Sequence, residues 1–193
     1  MTALDLSEDM LIKAKRAADR DRLAIRFDLG DAEHLPYESA SFEIVSSCFG
    51  VIFAPAAETA ARELARVCRQ NGRLGLTSWA ANPAVAALFE PYAAERPVDA
   101  SRWEDETSVR ELLGQDFELD VQRGEWIVEA SSGEEVWELW TTAVPPIKSL
   151  LKTLEPERKG KLHRDFVGFY EERREGDVVR ERRPFLRILG TRR

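Results

Sequence analysis

The first third of the chain alternates short β-like runs with stretches of helical periodicity, and strands separated by helices in this way pair in parallel, as βαβ units. Thr2-Ala3-Leu4 is a short apolar run that Asp5 ends. Ser7 is placed to cap a helix, with Glu8 and Asp9 in its first turn and Lys13, Lys15 and Arg16 further along, a charge order that complements the helix dipole. Met10, Leu11, Ala14, Ala17 and Ala18 recur at helical spacing, so one face is expected to pack on a sheet. Residues 23–27 read as a second strand and residues 30–37 as the loop leaving its carboxyl end. Residues 42–47 form a third strand, rich in aromatic and β-branched side chains. Ala57, Ala60, Ala61, Leu64, Val67 and Cys68 then make an i, i+3, i+4 stripe, closed by Asn71-Gly72 as a left-handed cap, which places Cys68 in the core. Residues 73–79 supply a fourth strand.

After Trp79 the texture changes. Helical patterns cover residues 83–94, 106–113, 133–142, 147–154 and 156–173, interrupted by strand-like segments at 117–128 and 178–189. No linker rich in Pro, Gly or Ser and no internal repeat divides the 193 residues, so the expectation is a single domain over 1–193 with a helical cap inserted late. No apolar run approaches the roughly 18 to 20 residues of a membrane span, so no membrane partner is expected. Met1 to Asp5 carry no basic or apolar leader, which makes the cytoplasm the expected location. Two cysteines and two histidines do not make a disulfide framework or a zinc set, and no metal is expected. A net charge of −7 argues against nucleic acid as the partner. Residues 157–193 hold 12 Lys/Arg against 7 Asp/Glu, but acids interleave throughout, so this basic tail reads as solvated helix face and strand flank.

Ligands of open α/β sheets bind at the carboxyl ends of the strands. Asp5 stands at such an end, where a carboxylate accepts hydrogen bonds from vicinal ribose hydroxyls. Asp31 stands at the next, able to accept from an exocyclic amine while the Ala32 N–H faces a ring nitrogen. Ser47-Cys48-Phe49-Gly50 ends the third strand, where small residues let a ligand approach the backbone.

Residues 5–11, 30–37, 41–45 and 64–74 resemble, in order and spacing, successive motifs of class I S-adenosylmethionine-dependent methyltransferases. The resemblance covers residues 1 to about 80, and the remainder is similar in layout to small-molecule methyltransferases. It implies an α/β, Rossmann-like three-layer sandwich with an antiparallel C-terminal edge and a helical cap, S-adenosylmethionine as cofactor and a small-molecule acceptor. Residues 1–80 would be the cofactor half and 81–193 the substrate half, with a homo-oligomer as an expected assembly. By position, Asp5 matches the acid on the ribose hydroxyls, Leu6 and Met10 the apolar wall near the adenine, and Asp31 with Ala32 the adenine contacts. Cys48 and Phe49 match the lining of the methionine end.

One departure stands out. The family's first strand and its E/D-x-G-x-G-x-G turn precede the acid by roughly twenty residues, and here that acid is the fifth residue. The fold is therefore expected to be N-terminally truncated, with the sheet open between the strand ending at Asp5 and the one ending at Ser47. An internal start, a shortened product that has lost cofactor binding, and a second chain supplying the segment are the three explanations. Glu43, where the family more often has the shorter acid, is a minor departure.

Methyl transfer from a sulfonium is an in-line displacement that needs alignment and water exclusion more than a strong base. That suits a sequence with no Ser/His/Asp, Cys/His or metal set, and no catalytic residue is assigned. His34 is the one near-neutral titratable side chain in the cofactor loops, and its two readings are a general base and, as the resemblance implies, a loop residue facing solvent or the adenine rim. Trp137 and Trp140, with Val136 and Leu139, read as helix packing, whereas Trp79 ends the fourth strand at the mouth of the cleft. Two other readings stand beside the enzyme: an inactive methyltransferase-like scaffold or interaction module, and a nucleoside binder that uses Asp5 and Asp31 without transfer.

Overall fold

The computed structural model describes residues 1–95 and 101–193. Its elements are β1 (Thr2–Asp5), α1 (Glu8–Arg20), β2 (Arg26–Leu29), β3 (Phe42–Cys48), α2 (Ala57–Val67), β4 (Cys68–Trp79), α3 (Pro83–Phe89), α4 (Glu106–Leu113), β5 (Phe117–Ala130), α5 (Gly133–Ala143), α6 (Pro145–Thr153), α7 (Pro156–Glu171), β6 (Arg174–Glu175) and β7 (Val178–Arg192). No helix among the described residues is long and apolar enough to cross a membrane.

The strands form two sheets. β1 and β2 pair in parallel as a two-stranded sheet, and β3-β4-β7-β5 form a larger one, with β6 on β7. β3 and β4 are parallel, and β7 runs antiparallel to both β4 and β5, giving the antiparallel C-terminal edge. Among the described residues no ladder joins β1 to β3. Side chains hold the small sheet to the large one instead. Glu33 Oε1 accepts from the Ala56 N–H at 2.7 Å, and Glu63 Oε2 accepts from the Leu35 N–H at 2.8 Å. Arg66, paired with Glu63 at 2.6 Å, donates to the carbonyls of Tyr37 and Leu35.

The 14- and 15-residue strands β5 and β7 form one long ribbon that serves two cores. Side chains alternate across a strand. In the carboxyl half of β7, Leu186 and Ile188 are buried with Leu74, Leu76, Trp103 and α2 and α4 residues such as Leu64 and Val109. In its amino half the opposite parity is buried: Val179 joins Phe89, Trp140, Leu162, Phe166 and Tyr170 of the cap. The continuous register from Phe117↔Arg192 to Ala130↔Val179 means these cores lie on opposite faces of the ribbon. Trp137 and Trp140 pack in the cap as the helical spacing requires.

Three local expectations need correction. The second strand starts at Arg26, not Leu23, because residues 22 and 23 close α1. Arg22 is left-handed (φ 56°), its N–H donates to Asp19 O, and the Leu23 N–H donates to Ala18 O. α2 ends at Val67 without the Asn71-Gly72 cap, since Cys68 is already extended and paired with Phe42. Asn71 is left-handed (φ 62°), but inside β4, where the register jumps from Phe42↔Cys68 to Ile44↔Arg73. Finally, α1 buries only Ala18, and Met10 of its apolar face is 45% exposed.

Candidate functional site

β1 and β2 end level with one another, Asp5 opposite Leu29, and the Gly30 N–H donates to the Asp5 carbonyl at 3.1 Å. Each strand then turns on an aspartate. Asp5 Oδ1 accepts from the Ser7 N–H at 2.8 Å, and Ser7 Oγ in turn caps α1 by accepting from the Met10 N–H. Asp31 Oδ1 accepts from the Glu33 N–H at 2.9 Å, while the His34 N–H returns to the Asp31 carbonyl at 3.0 Å. Both carboxylates are thus fixed through one oxygen, and their Oδ2 atoms and the Ala32 N–H make no hydrogen bond among the described residues. Asp31, Glu33 and His34 bring potential ligand atoms within 4.8 Å of one another. With Oδ1 of Asp31 and Oε1 of Glu33 already held by backbone amides, this cluster builds the loop. Burial, with the Asp28 carboxylate as neighbour, pushes the Tyr37 phenol at the end of that loop up to about 12. Tyr37 donates to Asp28 Oδ2 at 3.0 Å and so ties the loop back to β2.

The third loop follows β3. Cys48 is exposed, and its Sγ lies 3.5 Å from Thr77 Oγ1. Phe49 is left-handed (φ 51°), with its N–H on the carbonyl and the hydroxyl of Thr77, both at 3.2 Å. Its ring stacks on Trp79 at 4.1 Å, so it is engaged toward the head of β4. Leu6 is 74% exposed and, with Met10, presents an open apolar surface beside Asp5. Asp5, Asp31 and Ala32 therefore share one end of the small sheet. Cys48 and Phe49 lie at the head of β3, and the Glu33 to Ala56 bond bridges the two groups. Two clefts of about 530 and 450 Å³ share Arg110 and Glu111 and include none of these residues.

A second polar group went unread in the sequence. Glu181 is 4% exposed, and its Oε2 accepts from Arg183 Nε at 3.1 Å. Arg183 Nη2 donates to the Tyr170 hydroxyl at 2.8 Å. Burial pushes the Tyr170 phenol far above its ordinary value, so it stays protonated. These residues belong to the tail read as solvated strand flank, and the side chains of Arg183 and Glu181 are covered instead. The available signal was Glu-x-Arg in a strand, which puts both charges on one face.

The pattern of the Methyltransferase domain family matches residues 1–76. The protein Rv1405c of Mycobacterium tuberculosis is 33% identical over 116 residues, which cover 57% of this chain and 42% of that protein. The demethylmenaquinone methyltransferase of Lactobacillus johnsonii is 36% identical over 93 residues, 46% of this chain and 38% of the enzyme. The chain thus spans about two-fifths of the length of these curated relatives. Among solved structures, the YcgJ protein of Bacillus subtilis superposes with a TM-score of 0.66 at 18% identity, covering 100% of this chain and 82% of that one. The fold is that of the class I methyltransferases, an α/β Rossmann-like architecture. The likeness to the methyltransferase domain family extends over residues 1–76.

Proposed function

We propose that this chain carries out S-adenosylmethionine-dependent methyl transfer to a small-molecule acceptor. One observation carries the reading: adjacent parallel strands end in two open carboxylate oxygens and an open amide, on Asp5, Asp31 and Ala32. That set complements the adenosine half of the cofactor. Asp5 would accept from the ribose hydroxyls, Asp31 from the adenine amine, and Ala32 would donate to a ring nitrogen. Leu6 and Met10 would cover the adenine, and Cys48 and Phe49 would flank the methionine end. When bound, the cofactor supplies a methyl group on a positively charged sulfur. The chain's own task is to hold that group against the acceptor and keep water out, for which the stacked Phe49 and Trp79 provide an apolar wall. The names of relatives that are methyltransferases support the same reading.

Calorimetric titration with S-adenosylhomocysteine tests it. Asp5→Ala and Asp31→Ala should each lose charge-assisted hydrogen bonds of about 1.5 to 3 kcal/mol, a weakening of roughly ten- to hundredfold. Unchanged affinity in both variants would remove the site assignment, and a folded chain that binds no cofactor would favour the inactive scaffold.

A further inference from the structure

The head of the large sheet carries a row of aromatic rings that begins at Phe49, beside the proposed methionine end of the cofactor. Phe49 stacks on Trp79 at 4.1 Å, and Trp79 stacks on Trp126 at 5.8 Å. The register explains the row. Trp79 and Gly124 both pair with Phe185, and Trp126 pairs with Arg183, so these side chains share one face of three adjacent strands. Gly124 is needed there because a Cβ would run into the Phe185 ring. Trp126 is 48% exposed and leaves the row open to solvent. At its closed end, the Arg183 guanidinium carbon lies 4.2 Å from the Trp140 ring, 5.8 Å from Trp126 and 5.9 Å from Trp79.

Arg183 is held rather than free. Glu181 takes its Nε and Tyr170 its Nη2, while Nη1 makes no hydrogen bond among the described residues. Glu181 Oε1 is buried without a partner. A buried ion pair is a poor source of stability, and its better-attested use is to fix a group in one orientation. The exposed indole face suits a flat π system, and the remaining guanidinium N–H suits an oxygen that carries negative charge. A cationic acceptor is disfavoured, because the Arg183 guanidinium carbon stands 5.8 Å from the Trp126 ring and its charge would repel an ammonium placed there. We infer that Trp126, Trp79 and Arg183 form an acceptor subsite for a planar aromatic molecule bearing an anionic oxygen, with Arg183 as the residue that selects the anion. The inference rests on the methyl-transfer reading for calling that ligand the acceptor.

Calorimetry on the full chain, with and without S-adenosylhomocysteine, tests it with three probes: 2-naphthoate, 2-naphthylmethylamine and cyclohexanecarboxylate. The naphthoate should bind roughly tenfold or more tightly than either other probe. Trp126→Leu, at an exposed position, should weaken naphthoate about three- to tenfold and leave S-adenosylhomocysteine affinity unchanged. Arg183→Gln strands Glu181, so the double variant Glu181→Gln with Arg183→Gln is measured beside it, and both should lose the preference for acid over amine. 2-Naphthol, uncharged near neutral pH, should bind more weakly than 2-naphthoate, and tighter binding of the naphthol would contradict selection of the anion by Arg183. Equal binding of acid and amine, or naphthoate affinity untouched by Trp126→Leu, overturns the inference. Failure to bind S-adenosylhomocysteine while naphthoate binds would sink the methyl-transfer reading and leave the aromatic-anion subsite standing.

Discussion

Gly72 shows how single residues set the geometry from which the site hangs. A Cβ at that position would lie 2.7 Å from the Arg69 carbonyl oxygen, 2.8 Å from Cys68 Sγ and 3.0 Å from the Glu43 carbonyl oxygen. The glycine is needed for close approach of β4 to β3, while Asn71 takes the left-handed conformation at the bulge. Gly72→Ala is expected to cost about 1 to 3 kcal/mol, as overpacking does, and urea denaturation would measure it. A stability equal to that of the unsubstituted chain would show that the strands can separate without penalty. From the sequence, Asn-Gly read as a helix cap, because the pair has the same local chemistry in either setting. Only the pairing of Cys68 with Phe42, 26 positions earlier, distinguishes them. The placement of Asp5 and Asp31 at strand ends was legible for the opposite reason: each lies at the end of its own strand and needs no distant partner to be placed.

At the scale of elements, the loop after β2 is positioned by α2 through Glu33, Glu63 and Arg66. Helix α2 was legible from its apolar stripe, whereas its polar face was not, since a Glu63-Arg66 pair at i, i+3 looks like an ordinary solvated one. In the structure the hydrogen bond from Arg66, with a further one from the Leu35 amide, holds the Glu63 carboxyl below its usual range despite partial burial. A folded-state pKa below the unfolded value stabilises the fold above the ordinary carboxylate range, and that contribution is lost as pH falls through the depressed value. The Leu35 amide resonance should therefore titrate with a midpoint below that of an ordinary glutamate, and a midpoint at or above it would contradict the clamp. Glu63→Ala should cost about 1 to 3 kcal/mol, because it leaves the Leu35 N–H without an acceptor and Arg66 without its ion-pair partner. Denaturant unfolding would measure this, and cofactor affinity should fall with it.

At the scale of the molecule, the described strands form two sheets with unequal support. Ladders on both sides hold β4 and β7, whereas among the described residues β2 pairs with β1 alone, and Leu29 is 61% exposed. Hydrogen exchange should accordingly find the amides of β2 opening well before those of β4 and β7. Equal protection in the two sheets would show that the loop staples couple them as firmly as a ladder. Parallel strands at the start and helices between were readable from periodicity, and the antiparallel edge at the end followed only from the family resemblance. The change of buried face along β7 was not. Val179 and Glu181 face the cap core while Leu186 and Ile188 face the other, and a charged residue in a buried position breaks the alternation that sequence reading relies on. That is also why Arg183 was read as flank.

The proposed recognition of adenosine rests on the open groups of Asp5, Asp31 and Ala32. Its most direct test is to follow the Ala32 amide by NMR while S-adenosylhomocysteine is added. A downfield shift and slowed exchange of that amide are expected, both lost in Asp31→Ala. A saturating titration that leaves the Ala32 amide unmoved would contradict it.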